Sequence, residues 1–191
     1  ISSAASDVYK RQVNVSEVNA SQPSVFDGLS HTQLAELRTD HAGELGAVWI
    51  YKGILSVTKD RELREFAEEH LATESQHFRF FHEGLPKAYQ SLLSPLWKIA
   101  GWMLGAIPAL FGRNAVYVTI DAVETFVVQH YEEQLNLMPS GLRTVLEGFM
   151  RDEGDHRDEA AVKSQPKNPL RWWRKIVCAG SALGVRVSRH L

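Results

Sequence analysis

From about residue 30 to residue 162 the apolar positions recur at intervals of three, four and seven, the beat of amphipathic helices, and little of the chain resembles a strand. The first predicted helix opens at SHTQ, a Ser30-x-x-Gln33 capping box, and runs to about Val57. A second runs from Asp60 to about Glu83, where GLP stops it. The stretch 92–112, LLSPLWKIAGWMLGAIPALFG, is strongly apolar but interrupted by Pro95, Lys98, Pro108 and several glycines. Helices are predicted again over Arg113 to Leu137 and Gly141 to about Val162. A last one follows QPKNP, with Asn168 as N-cap and Pro169 in its first turn.

The pattern is broken at informative places. In the second helix the stripe Leu63, Phe66, Ala67, Leu71, Phe78, Phe81 also takes in His70, Glu74 and His77. A carboxylate on a buried stripe costs several kcal/mol unless it is paired, protonated or bound to metal. The fifth helix repeats the anomaly, with Glu153 and His156 on the stripe of Leu142, Val145, Leu146 and Phe149. With fifteen glutamates and eight histidines a Glu-x-x-His match arises easily by chance, and alone each reads more readily as a solvated face. The spacing argues otherwise. Glu44 precedes Glu74 by 30 residues, and Glu124 precedes Glu153 by 29, so each half of the chain reads as one helix hairpin. Glu124 sits on the stripe Val116, Ile120, Val127, Val128, Tyr131. His70 fits no ligand slot and is expected in the core or beside the site, and His82 at the surface.

Residues i and i+3 share a helix face, so each Glu-x-x-His aims a carboxylate and an imidazole at one point. Two such helices and a glutamate from each of two others supply four carboxylates and two imidazoles, the ferritin-like dinuclear arrangement. Two divalent ions would balance that charge. Oxygen and imidazole donors without thiolate suit iron or manganese, with positions left open for dioxygen.

Composition adds three constraints. A chain of 191 residues with 44% hydrophobic content supports one core, and 21 basic against 23 acidic residues exclude a general nucleic-acid binder. Charge is uneven along the chain: from Lys163 onward there are seven Lys or Arg and no acid. The single cysteine, Cys178, excludes an internal disulfide or a cysteine zinc site and suits a reducing compartment. Residues 1–29 show no helical period and no secretory pattern, and SSAASDVYKRQ looks like a cloning scar, so this part is expected to be a disordered or cloning-derived lead.

The segments LRTDHAGELGAVWIYKG, ATESQHFRFF, PLWKIAGWMLGAIPALFG, AVETFVVQHYEEQL, RDEGDHRDEA and IVCAGSALGVRVSRHL resemble, in that order, those of the demethoxyubiquinone hydroxylase family, membrane-associated di-iron monooxygenases of ubiquinone biosynthesis. The resemblance covers about 30–191. It implies an all-α fold, a ferritin-like four-helix bundle with an apolar interfacial insert (92–112) and an extra basic C-terminal helix (168–190). It also implies that Glu44, Glu74 and His77 hold one iron ion and Glu124, Glu153 and His156 the other, with Glu74 and Glu153 bridging. The family's His-Tyr pair is kept as His130 and Tyr131, and Tyr131, two turns beyond Glu124, is placed to hydrogen-bond to the site. Thr125 stands where many members have a second acid.

The implied activity is oxygen-dependent hydroxylation of a polyprenylated demethoxy-benzoquinol, with dioxygen as co-substrate, an electron donor, and possible contacts to other ubiquinone-biosynthesis proteins. An iron-oxidising or storage protein and a metal-stabilised membrane scaffold are the competing readings. Trp97 and Trp102 in the insert, and Arg171, Trp172, Trp173, Arg174 and Lys175 in the tail, are expected at a lipid surface. That makes the protein peripheral, on the cytoplasmic face of a bacterial inner membrane or on the mitochondrial inner membrane.

Overall fold

The structure, a computed structural model, describes residues 24–164 and 171–191. Those residues form six α-helices and two single 3-10 turns, without strands. The helices are α1 (His31–Val57), α2 (Arg61–Gly84), α3 (Ser94–Leu110), α4 (Arg113–Gln134), α5 (Ser140–Lys163) and α6 (Arg171–Ser188). The expected capping box forms, and Asp60 proves to be the N-cap of α2 rather than its first residue. Gln33 N–H donates to Ser30 Oγ while Ser30 N–H donates to Gln33 Oε1, and Leu63 N–H donates to Asp60 Oδ1. Gly112 opens α4 at φ 96°, a left-handed turn that needs glycine. The expected N-cap of the last helix, Asn168, and Pro169 lie outside the described residues, as does most of the N-terminal lead.

Helices α1 with α2, and α4 with α5, pack as the two predicted hairpins, and α6 lies against α4 and α1. Their apolar stripes close two clusters. One gathers Tyr51, Ile54, Leu63, Phe66, Tyr117, Ile120 and Ala160, and the other Leu37, Phe81, Tyr131, Leu142 and Leu146. Burying each large side chain contributes about 1.5–3 kcal/mol. Residues 44, 74, 77, 124, 153 and 156 lie between these clusters along their helices, so the polar layer has an apolar lid at either end.

The apolar stretch 92–112 differs from its broken appearance. It forms one helix, with Pro95 in the first turn and Pro108 in the last, where proline disturbs the hydrogen-bond ladder least. Its glycines are a contact surface. A Cβ on Gly101 would collide with the carbonyl of Gly46, one on Gly105 with that of Ile50, and one on Gly53 with that of Trp102, so α3 lies backbone to backbone on α1. The other side of α3 exposes Leu96, Ile99, Trp102, Met103 and Ile107, continuing to Leu110 and Phe111. Among the described residues no helix is long and apolar enough to cross a membrane.

Candidate metal centre

Each bundle helix delivers its marked residues to the middle of the bundle. Glu44 comes from α1, Glu74 and His77 from α2, Glu124 from α4, and Glu153 and His156 from α5. All six are buried, the four glutamates at 4% exposure or less. They fall into two overlapping groups, Glu44, Glu74, His77, Glu153 and Glu74, Glu124, Glu153, His156. Within each group one donor atom per residue lies within 4.8 Å of the others, and Glu74 and Glu153 belong to both. The six residues singled out from the sequence are thus brought together, in the grouping that the family resemblance implies.

A ring of polar side chains holds them. His77 Nδ1 lies 3.0 Å from Glu153 Oε1, and its Nε2 lies 3.2 Å from Asp152 Oδ2 at the rim. The Tyr131 hydroxyl donates to Glu44 Oε1 at 2.5 Å, reaching the other hairpin rather than Glu124 on its own helix. Tyr51 does the mirror image, donating to Glu124 Oε1 at 3.3 Å. His70 lies beside the site as expected, with Nδ1 3.3 Å from the Tyr51 hydroxyl, Nε2 3.0 Å from Glu159 Oε2 and its ring 4.0 Å from that of His156. Tyr51 and Asp152 escaped the sequence reading. Tyr51 carried a usable signal, since it follows Glu44 by seven residues as Tyr131 follows Glu124.

The electrostatics are those of a site built for cations. Burial, then the Glu153 charge, pushes the Glu74 carboxyl up to about 8. Burial likewise raises Glu44, and raises Glu124 well above the usual range. Glu153 goes the other way: burial opposes its charge, but His156 and His77 outweigh that and hold it at about 2. Burial disfavours charge on His156 too, yet Glu153 and Glu74 raise it to about 11. Protons therefore do the neutralising when metal is absent. Even so, Glu44 Oε2, both Glu74 oxygens, Glu153 Oε2 and His156 Nδ1 are buried without a well-formed hydrogen bond, although His156 Nδ1 lies 3.1 Å from Glu74 Oε1 and 3.3 Å from Glu153 Oε2 as ion pairs. Buried polar atoms without a well-formed hydrogen bond are costly, and five of them in one cluster fit a pair of divalent ions.

A cavity of about 350 Å³ reaches this cluster between α1, α3, α4 and α6. Glu44, Glu74, Glu124, Glu153 and Tyr131 border its polar part, and Ile50, Leu104, Val127 and Val177 are among its apolar walls. Against the same cavity stands a second polar group, His130 with Asp40 and Thr39. Gln134 Nε2 donates to Asp40 Oδ1 at 2.9 Å, which fixes the carboxylate.

The residues expected at a lipid surface divide. Trp102 and Trp172 are exposed, as is Lys175, and the Arg171 side chain lies outside what the structure describes. Trp97 donates its indole N–H to Ser91 Oγ at 2.9 Å, and Trp173 donates to Thr119 Oγ1 at 2.8 Å; both also line the cavity. Arg174 is paired with Asp121. These three are half-buried and committed to the bundle. Nor is the basic tail set apart: Lys163 lies near Glu159 and Glu62, and Arg189 near Glu36.

A family model described as ubiquinone biosynthesis protein COQ7 matches residues 31–188. A 3-demethoxyubiquinol 3-hydroxylase of Rhodospirillum rubrum is 38% identical over 164 residues, covering 81% of this chain and 76% of the relative. An NADPH-dependent 3-demethoxyubiquinone 3-hydroxylase, mitochondrial, of Mus musculus is 32% identical over 165 residues, with the same two coverages. Its namesake in Dictyostelium discoideum is 35% identical over 130 residues, 63% of this chain and 59% of the relative.

Proposed function

The chain belongs to the ubiquinone biosynthesis protein COQ7 family, and from that premise we propose that it is a hydroxylase placing one oxygen atom of dioxygen on the ring of a polyprenylated demethoxy-quinol. The observation that carries the reading is the pair of ligand groups sharing Glu74 and Glu153 at the polar end of an otherwise apolar cavity. Glu44, Glu74 and His77 would hold one iron ion and Glu124, Glu153 and His156 the other, with Glu74 and Glu153 between them. Iron bound there supplies dioxygen activation and the electron transfers that ring hydroxylation needs.

The chain's own residues do the rest. Asp152 holds the His77 ring through Nε2, which leaves Nδ1 facing the cluster. Tyr131 and Tyr51 each donate to one oxygen of a glutamate and leave the other oxygen free. The walls of Ile50, Leu104, Val127 and Val177 keep water from the ring and suit a prenylated substrate. The exposed apolar side of α3, with Trp172 and Lys175 on α6, supports attachment to a membrane surface from which such a substrate is drawn.

The test is anaerobic loading with ferrous iron followed by demethoxyubiquinol, dioxygen and NADPH, the reductant in the names of two relatives. A product one oxygen atom heavier is expected. Two bound irons without product would reject the activity.

A further inference from the structure

The Asp40, His130 and Thr39 group has no part in the reading above, although it faces the same cavity. Its hydrogen bonds define the state of the ring. The Thr39 hydroxyl donates to the Glu36 carbonyl at 2.7 Å, so its oxygen is an acceptor toward His130 Nε2, 2.8 Å away. Asp40 Oδ1, 3.2 Å from the same nitrogen, accepts as well. Nε2 flanked by two acceptors carries a proton whatever the charge of the ring. Among the described residues no protein group bonds Nδ1, the remaining nitrogen of a cavity-lining side chain.

We propose that His130 Nδ1 is the contact to a ring oxygen of the quinol, that Asp40 and Thr39 are positioning residues for it, and that the contact distinguishes the reduced from the oxidised ring. This rests on the function proposed above. With Nδ1 protonated, His130 donates to any ring oxygen. With Nδ1 bare, it accepts, and only a ring that bears a hydroxyl can answer it. A quinol therefore binds in both states and a quinone in the protonated one alone. The groups that set the switch are Asp40 and Glu36 on α1, Arg189 after α6, and burial. Burial disfavours the charged ring, but the bond to Asp40 and the charges of Asp40 and Glu36 outweigh burial and Arg189 and raise the His130 pKa. The protonated form thus persists further toward neutrality than in a free imidazole, and Tyr131 on the next position is occupied with Glu44.

Isothermal titration calorimetry under argon, with a decyl-substituted benzoquinol and the matching benzoquinone on metal-free protein, tests this between about pH 6 and about pH 9. Quinone affinity should fall about five- to tenfold as pH rises, the worth of one hydrogen bond in an apolar site, while quinol affinity changes less than about twofold. His130→Phe should make the quinone flat with pH and weaken the quinol about fivefold. Asp40→Asn, which matches the native shape, should move the fall in quinone affinity to lower pH. Circular dichroism and metal uptake confirm that both variants fold. A flat quinone profile in the wild type, or a fall that survives in His130→Phe, overturns the inference. If wild type binds neither ring and gives no hydroxylated product, the proposed function falls with it. If product forms while His130→Phe leaves the binding pattern intact, this inference alone falls.

Discussion

Replacing Glu74 by glutamine should make the metal-free protein more stable and the metal-loaded protein less so. The Glu74 carboxyl sits at about 8 in the folded state against an ordinary 4.5. A raised value means that the folded chain holds the proton and the unfolded chain releases it, so stability is full below 4.5 and is lost as pH rises through 8. At pH 7 the interval above 4.5 is about 2.5 units, which at about 1.36 kcal/mol per unit is about 3 kcal/mol. Glutamine does not titrate and avoids that loss. Its amide offers a donor and an acceptor, as the protonated carboxyl does, so the remaining terms largely cancel. For a chain of this size about 3 kcal/mol corresponds to roughly 6–12 °C in melting temperature. Calorimetry of metal-free wild type and Glu74→Gln from pH 5 to pH 8 would show the gap opening with pH. With ferrous iron under argon the order should reverse, because the variant lacks one of the two carboxylates common to both ligand groups. A metal-free variant no more stable than wild type at pH 7, or a gap independent of pH, would refute the reasoning.

Three further outcomes follow from the same geometry. Glu153→Ala should drop bound iron well below two per chain by elemental analysis, while Glu159→Gln, outside both ligand groups, leaves the content unchanged. Iron affinity measured by competition with a chelator should rise between about pH 6 and about pH 8, because Glu74 must give up its proton to bind. Gly105→Val should destabilise the fold by about 1–3 kcal/mol in urea, since its side chain would meet the Ile50 carbonyl and lift α3 from α1.

The candidate metal-binding cluster was legible because burial writes periodicity into a sequence, and Glu74, His77, Glu153 and His156 interrupt an otherwise apolar stripe. The groups around it carry no such mark. Asp152 lies at the rim of the stripe, and Asp40 pairs with His130 across 90 residues, a meeting that local pattern does not encode. Gly101 and Gly105 looked like helix breaks because their meaning lies in the neighbour they touch, the backbone of α1. The pairings of the tail were hidden for a related reason. Its surplus of positive charge looked free for lipid, yet Arg174 answers Asp121 and Arg189 lies against Glu36, acids that lie far upstream.

The crossed tyrosines have a bearing on how the protein comes apart. Tyr51 of the first hairpin serves Glu124 of the second, and Tyr131 of the second serves Glu44 of the first. The two halves are related like the members of a twofold dimer that happen to share one chain, and each completes its counterpart. Neither half holds a complete ligand group by itself. Prying the hairpins apart breaks both exchanges and both ligand groups in a single event, so the release of any metal held there, followed by chelator capture, and the opening of the bundle, followed by hydrogen exchange, should share one rate constant.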